Sequence, residues 1–361
     1  MNPNSPMILI GLGGAGTAIA RAVSRSFSSG MRHLLADTDA ASGRDGEPFV
    51  LLGGDRLGGR GAGGDVVAAR SAVEESIKRL DDSLSGVRLA VIVTALGGGT
   101  GGGATIETVK HLADRGVSTI VFATTPFAFE AGNRQRTARG VMAMIEDSAN
   151  ATFFLPLDKL VGRVDNMKDA LAAAIDTLAA AVTLFWRLVE TPGYIRLDSE
   201  RLRHLLASAG RGRFAAATAE GPDRAHEVAK RLQENALLTT ASGPVRAMLC
   251  GVLAGDDLRL SEISTVSETL RAGFNPNSAF DLATVNDEEN FGGRLSVVLL
   301  LFESRADGSA NAQPGGRRHR PSVLGNAGGR GGRFAHADRT EWHGEDLDTP
   351  TYLRKNINPD F

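Results

Sequence analysis

The segment "TALGGGTGGGAT" (residues 94–105) places six glycines around Thr100. It follows the apolar run "RLAVIV" (88–93) and leads into a helix-like pattern, "ATIETVKHLADRG" (104–116). Glycine is less favourable than alanine in a helix by about 1 kcal/mol per residue. A stretch with so few side chains between a strand and a helix therefore indicates that another group approaches the main chain closely.

Two further glycine clusters follow strand candidates in the same way, "GLGGAG" (11–16) and "GGRGAGG" (58–64). In an open parallel sheet, ligands bind at the carboxyl ends of the strands. Backbone N–H groups and helix N-termini there form cradles for anions, and glycine lets phosphate oxygens approach without a Cβ in the way. Three clusters at one sheet edge predict a phosphate-rich nucleotide.

Short apolar runs alternate with amphipathic stretches over residues 7 to about 160, which predicts a parallel sheet with helices on both faces. The strand candidates are "MILIG" (7–11), "HLLAD" (33–37), "FVLLG" (49–53), "RLAVIVTA" (88–95), "STIVFATT" (118–125) and "ATFFLP" (151–156). The helix candidates are residues 16–27, 65–84, 104–116 and 133–148. The fold class is α/β, with an N-terminal Rossmann-like domain.

An alanine-rich stretch (165–190) is apolar almost all round, which predicts a long central helix buried between two domains. Strand candidates at 213–221, 245–255 and 293–303 then predict a second, smaller α/β unit, and a Gly/Arg-rich segment with little to bury follows. The expected organisation is a nucleotide-binding domain (1–164), a central helix (165–190), a second α/β domain (191–305), a disordered linker (306–339) and a C-terminal tail (340–361).

Composition excludes several classes of protein. Hydrophobic residues make up 42% and charged residues 23%, with a net charge of -2, so nothing global favours nucleic acid or an anionic membrane. The single Cys250 excludes a disulfide framework and a cysteine-based zinc site, and the seven histidines lack metal-ligand spacing. The longest apolar runs, such as 297–302, have the length of strands, and the N-terminus lacks the pattern of a signal peptide. We expect a cytoplasmic chain with no membrane span and no bound metal of its own.

The first glycine cluster also fits a rival interpretation. Gly11, Gly13 and Gly16 have the spacing of a dinucleotide fingerprint, and Asp37 follows about 20 residues later as its ribose-binding acid. A nicotinamide or flavin enzyme therefore stays open as an alternative. Against it, such a site does not need the second and third clusters, and no constellation for hydride chemistry is recognisable.

At the third cluster the chain resembles the tubulin/FtsZ family of GTP-dependent filament proteins, whose signature is a GGGTG[ST]G-type loop. "GGGTGGG" (97–103) fits with one departure, Gly102. The resemblance continues over nearly the whole chain, through 11–16, "DTDA" (37–40), 59–70, "TTPFAFEAGNR" (124–134), "DALAAAIDTL" (169–178) and "GDDLRLSEI" (255–263).

The resemblance implies that GTP or GDP binds with Mg²⁺ on one face of a subunit, and that the next subunit of a head-to-tail filament covers it. The residues carried over as nucleotide-binding are Gly13, Gly14, Ala15, Gly16, Thr17, Asp37, Ala62, Gly63, Gly64, Gly97, Gly98, Gly99, Thr100, Gly101, Gly102, Pro126, Glu130, Arg134, Leu171 and Asp176. Near the base, Thr17 and Ala18 stand where an asparagine is usual, which implies weaker or less selective guanine binding.

The family's water-positioning loop, NxDxxD, aligns with "RLDSER" (196–201). Asp198 is kept, but Arg201 stands where the second acid belongs, and a guanidinium cannot accept a proton. It could instead grip the terminal phosphate of the neighbouring subunit's nucleotide, as a cation does at the non-hydrolysing site of tubulin. We therefore expect slow GTP hydrolysis with Glu200 as the substitute acid. A slip of the loop by one residue, with Glu200 in the usual role, stays open.

The tail segment "DLDTPTYLRK" (346–355) resembles the family's C-terminal peptide, which implies capture by an FtsA-like membrane adaptor. The residues implied in that contact are Asp348, Pro350, Tyr352, Leu353 and Arg354. A merely solvated terminus is the alternative. The arginines of the linker could touch anionic lipid or DNA, but such runs more often keep a linker soluble, and no nucleic-acid partner is expected.

The resemblance as a whole implies a GTPase of bacterial cell division, acting in the cytoplasm at the division site on the inner membrane face. Three alternatives remain at this stage. A paralogue that does not hydrolyse GTP could form stable filaments or modulate a second such protein, a nucleotide-binding regulator need not polymerise, and the dinucleotide enzyme is the third.

Overall fold

The structure, a computed structural model, describes residues 5–27, 30–130, 132–161, 164, 166–197, 199–207, 209–239 and 243–303, together with the backbone of 341–342 and 345–346. The chain divides into two compact units, Met1–Asn311 and Ala312–Phe361. In the second unit the described residues form a short antiparallel pair, β11 (Glu341–Trp342) with β12 (Glu345–Asp346). The predicted linker and the adaptor-binding tail residues lie outside the described residues.

Six parallel strands build the N-terminal part of the sheet, as the alternating pattern predicts. They are β1 (Met7–Leu12), β2 (His33–Asp37), β3 (Phe49–Leu51), β4 (Leu89–Ala95), β5 (Ser118–Thr125) and β6 (Ala151–Pro156). Their order is β3-β2-β1-β4-β5-β6, so the direction of winding reverses between β1 and β4. That reversal is the place where doubly wound sheets bind their ligands.

Helices cover both faces of these strands. They are α1 (Gly13–Arg25), α2 (Gly54–Leu57), α3 (Val66–Ser83), α4 (Gly99–Asp114), α5 (Gly132–Ser148) and α6 (Leu157–Leu160), with a 3₁₀ turn at Ala40–Ser42. Because both faces are covered, β1 is apolar without a break, with Met7 and Leu9 in one core cluster and Ile8 and Ile10 in another.

The second half of the unit continues the same sheet with four more strands, in the order β7-β10-β8-β9 after β6. They are β7 (Arg211–Glu220), β8 (Val245–Ala254), β9 (Ala279–Asn286) and β10 (Arg294–Glu303). The sequence predicts all of these except β9, which lies at the edge of the described sheet and pairs there with β8. Cys250 lies on β8, and burial raises the pKa of its thiol to about 12, which leaves it unreactive.

The remaining helices are α7 (Met167–Glu190), α8 (Ser199–Ala207), α9 (Arg224–Gln233), α10 (Ala236–Thr239), α11 (Leu260–Phe274) and α12 (Glu288–Phe291). Helix α7 is the predicted central helix, and it begins two residues later than expected because the Asn166 side chain caps it by accepting a bond from Asp169 N (2.9 Å). It packs against α1 and against strands of the second half of the sheet. The domain boundaries within this unit stay a prediction.

The longest apolar runs of the sequence have the length of strands and predict no membrane span, yet α7 has the length and composition for one. Half of its most apolar window is buried inside the protein, including Phe185 and Trp186. The indole Nε1 donates to Glu190 Oε2 (2.7 Å), and Ser5 Oγ donates to Glu190 Oε1 (2.9 Å). The apolar composition of α7 is thereby accounted for by packing in the core.

Candidate nucleotide-binding site

Two helices begin beside the ends of the neighbouring strands β1 and β4, where the winding reverses. Helix α1 starts directly after Leu12, and α4 starts at Gly99, four residues after β4 ends. Neither helix has a side-chain cap, and neither has an acidic residue in its first turn. Their free N–H groups and the positive ends of two helix dipoles therefore face the same edge of the sheet, and that arrangement binds anions.

The third glycine cluster is not a loop that precedes a helix, as its composition suggests. Gly99 to Gly103 form the first turn and more of α4. The physical reason is close packing: a Cβ on Gly101 would overlap the carbonyl oxygen of Ala95, and one on Gly103 would overlap that of Val66. Glycine there lets α4 lie directly on the ends of β4 and α3, which outweighs its poor helix propensity.

The first and third clusters touch each other. A Cβ on Gly13, which has a φ of 74°, would lie 3.2 Å from the backbone nitrogen of Gly101. The buried hydroxyl of Thr94 lies 3.1 Å from the carbonyl oxygens of both Leu12 and Gly101. The two helix N-termini are thus held at a fixed separation by a side chain from the strand between them.

The second cluster closes against the third. A Cβ on Gly99 would lie 2.8 Å from the backbone nitrogen of Asp65, and Gly61 N donates to Thr38 O (3.0 Å). The hydroxyls of Thr38 and Thr100 are 2.6 Å apart, which joins the segment after β2 to α4. All three glycine clusters, predicted from sequence to meet, lie together in this structure.

On one side of this arrangement, three glycines of the second and third clusters face open space. Gly63 and Gly64 are exposed with φ of 58° and 85°, and within the described residues no neighbouring atom lies within 4 Å of a Cβ built on either. Gly98, which precedes α4, is half-buried and has a φ of -98° that any residue adopts, and a Cβ built on it also meets no atom of the described residues within 4 Å. Gly14 is exposed as well, whereas Ala62 is buried.

The segment after β5, in which Pro126, Glu130 and Arg134 are predicted to bind the nucleotide, borders the third cluster. A Cβ on Gly97 would lie 2.6 Å from Pro126 and 3.5 Å from the Cβ of Arg134. Glu130 accepts a bond from Phe127 N (2.9 Å) through Oε1 and pairs with Arg134 Nη1 (2.8 Å) through Oε2. The carboxylate therefore shapes the turn and orients Arg134, whose side chain is exposed at the edge of the cradle.

Asp37 is buried and holds its own loop. Its Oδ1 accepts from Thr38 N (2.7 Å), and its Oδ2 accepts from Ser42 Oγ (2.6 Å). In a dinucleotide site the corresponding acid would be turned toward the ribose. Both oxygens of Asp37 are committed to the turn instead, which weighs against the dinucleotide alternative.

Three predicted contacts with the nucleoside differ in accessibility. Thr17 is buried, and its hydroxyl donates to Gly14 O (2.9 Å), so it supports the first turn of α1 from within. Leu171 and Asp176 are both exposed on α7. They stand five residues apart, which places them about 140° apart around the helix and suits contacts with different edges of one ligand.

The predicted catalytic segment shows two ion pairs that the sequence does not reveal. Arg201 Nε lies 2.5 Å from Oδ1 of Asp281 on β9, and Glu200 Oε2 lies 2.7 Å from Arg203 Nη2. Asp198 lies outside the described residues. The predicted tail residues Asp348, Pro350, Tyr352, Leu353 and Arg354 lie outside them too.

Sequence reasoning missed Thr38, Thr94 and Asp281. Thr94 carries a signal in retrospect, because a polar residue at the end of a strand buried on both faces needs a hydrogen-bond partner. Thr38 is part of "DTDA", but nothing in that segment shows that its hydroxyl meets Thr100. Asp281 lies on the strand that the sequence did not predict.

Comparison with known proteins gives a consistent family. The model of the tubulin/FtsZ family GTPase domain matches residues 6–165. A cell division protein FtsZ of Pseudomonas putida is 30% identical over 294 residues, covering 80% of this chain and 74% of that protein. A second, from Pseudomonas aeruginosa, is 26% identical over 379 residues, covering 97% and 96%.

Solved structures agree at the level of the fold. An empty FtsZ dimer of M. jannaschii superposes with a TM-score of 0.76 at 22% identity, covering 85% of this chain and 94% of that one. CetZ2 of Haloferax volcanii, solved as a GTPγS-bound protofilament, superposes with a TM-score of 0.70 at 22% identity, covering 83% and 93%.

Proposed function

The chain belongs to the tubulin/FtsZ family of GTPases, as a divergent member, and we propose that it binds GTP and polymerises head to tail in bacterial cell division. The observation that carries this proposal is the meeting of three glycine clusters at two uncapped helix N-termini. A triphosphate suits this place because backbone N–H groups supply many donors, and because no described residue lies within 4 Å of a Cβ built on Gly63, Gly64 or Gly98.

Mg²⁺ fits as the counter-ion of the phosphates. Among the residues that the structure describes, no group of three or more His, Cys, Asp and Glu side chains could hold a metal. Mg²⁺ in nucleotide sites is commonly held by phosphate oxygens and water with few protein ligands, so that finding is compatible with its arrival with GTP. When bound, it would neutralise charge at the phosphates.

A head-to-tail filament needs two unlike surfaces, and exposed apolar side chains occur at both ends of α7. Leu171 is exposed near its N-terminus, and Phe129 is exposed in the segment that borders the glycine cradle. Beyond its C-terminus, Tyr194 is 74% exposed, and Ile195 beside it is partly exposed. The helix is about 36 Å long, so these sets are well separated. Contact between unlike surfaces produces open filaments.

We further propose that hydrolysis is slow, because the segment that meets the neighbouring subunit's nucleotide carries Arg201 in place of an acid. The guanidinium would stabilise the terminal phosphate and hence the GTP-bound contact. Glu200 is the remaining acid, and it is paired with Arg203. A filament that holds GTP for longer, including one that modulates a second family member, follows from the same substitution.

The place of action and the adaptor are proposed from the relatives and from the tail sequence. The relatives in Pseudomonas are cell division proteins, which supports a cytoplasmic role at the division site. Pro350, Tyr352 and Leu353 offer a short helix start with apolar anchors, which suits capture by an FtsA-like adaptor at the inner membrane face.

Sedimentation of the purified full-length chain tests the proposed function. With GTP and Mg²⁺ we expect most of the protein to pellet, with GDP much less, and with NAD none. NAD binding without GTP-dependent pelleting would overturn the proposal in favour of a dinucleotide enzyme. GTP binding without pelleting would leave a nucleotide-binding regulator as the better description.

A further inference from the structure

Arg201 and Asp281 form an ion pair between two elements that are distant in sequence. Arg201 lies near the start of α8 and Asp281 lies on the edge strand β9, with Nε to Oδ1 at 2.5 Å. The segment before α8 is fixed to the same strand: Ile195 N donates to Thr284 Oγ1 (2.9 Å), and Thr284 N donates to Ile195 O (2.8 Å). Strand β9 therefore holds the backbone six residues before Arg201, at Ile195.

The two partners differ in exposure: Asp281 is buried, and Arg201 is exposed. The Asp281 side chain is 10% exposed, and its Oδ2 is buried with no hydrogen-bond partner among the described residues. The Arg201 side chain is 62% exposed. A buried carboxylate with one bond depends strongly on its cation, since removal of the partner leaves an uncompensated charge. Asp281 thus anchors Arg201 from within the protein.

The anchoring uses one of the five N–H donors of the guanidinium. Within the described part of the chain, Asp281 is the partner that Arg201 contacts, through Nε. The four N–H groups on the two terminal nitrogens carry no bond to a described residue. They form a planar fork, a geometry that matches the oxygens of a phosphate.

We propose that Asp281 is a positioning residue, which holds Arg201 by Nε so that its terminal N–H groups receive the terminal phosphate of the nucleotide on the next subunit. This inference rests on the proposed function. It holds that Arg201 and Asp281 together, and not Arg201 alone, distinguish GTP from GDP during assembly. An arginine whose orientation is fixed beforehand loses less conformational entropy when it binds.

The experiment compares assembly in GTP with assembly in GDP for four forms of the full chain. These are the wild type, Asp281→Asn, Arg201→Ala and the double variant, each measured as a critical concentration for pelleting. We expect Asp281→Asn and Arg201→Ala each to reduce the preference for GTP by about tenfold, the size of a lost hydrogen bond to a charged group. The double variant should match Arg201→Ala, because Asp281 acts through Arg201.

Two further variants separate positioning from general stability. Arg201→Lys keeps the charge but lacks the Nε donor, so we expect the same loss of preference. Glu146→Gln removes the acid from a comparable pair, Arg211 Nε with Glu146 Oε1 at 2.6 Å, and should leave the preference unchanged. If Asp281→Asn fails to fold, Arg201→Lys carries the test.

The inference is overturned if Asp281→Asn or Arg201→Lys retains the wild-type preference for GTP, or if the double variant loses about as much as both single losses combined. The inference alone is overturned if the wild type pellets with GTP in preference to GDP and these variants keep that preference. A wild type that does not pellet with GTP would overturn the proposed function with it.

Discussion

The double variant Arg201→Asp, Asp281→Asn is expected to hydrolyse GTP at least about tenfold faster than the wild-type chain. The aspartate restores an acid where the family's catalytic loop has one, and a positioned general base contributes about 10²–10⁴-fold in enzymes. The second substitution is needed because Asp281 is buried and now pairs with Arg201. Steady-state release of phosphate above the critical concentration measures the effect.

The single variants provide the controls for this result. Arg201→Asp alone places two carboxylates together, one of them buried, so its unfolding midpoint should fall and its rate should gain less. Glu200→Gln should lower the residual wild-type rate if Glu200 is the substitute acid. A wild type that already turns over as fast as the double variant would contradict slow hydrolysis caused by Arg201.

The variant Gly98→Ala is expected to bind GTP at least about tenfold more weakly with almost no change in stability. Gly98 has a φ that alanine adopts freely, and a Cβ there would meet no atom of the described residues within 4 Å. The new methyl group would point into the space at the α4 N-terminus where phosphate oxygens need to approach the backbone. Equilibrium titration with GTP, alongside thermal unfolding, measures both quantities.

Gly140→Ala is the matched control for that variant. Gly140 lies inside α5 and is exposed, and in the described part of the chain nothing lies within 4 Å of a Cβ built on it either. Alanine should stabilise α5 by about 0.5–1 kcal/mol and leave GTP affinity unchanged. Unchanged GTP affinity in Gly98→Ala would show that no phosphate lies against that glycine.

The fold of the N-terminal half was predictable because its apolar runs, turn residues and helical patterns all indicate the same order of strands and helices. Each strand from β1 to β6 is a short apolar run bounded by a turn, and each long helix has an amphipathic pattern. Strand β9 was missed because "AFDLATVN" (279–286) mixes Asp281, Thr284 and apolar residues without a continuous apolar run. The segment 193–195 covers β9 at the sheet edge and buries residues such as Thr284. That contact is not visible in the sequence.

The candidate site was predictable in composition but not in geometry. Glycine clusters after strands predict an anion cradle at one sheet edge, and the structure brings all three together. That the third cluster is helical follows from contacts with Ala95 and Val66, which only the fold supplies. Likewise, Asp281 and Arg201 are 80 residues apart in sequence, so their pairing could not be read from either segment.

Amide hydrogen exchange of the purified chain, with and without millimolar GTP and Mg²⁺, tests most directly whether the three glycine clusters hold one triphosphate. When GTP binds, we expect the amides at 13–17, 63–65 and 98–101 all to become protected, and we expect NAD to protect none of them. Protection of the first cluster alone, or none in any cluster at saturating GTP, would contradict it.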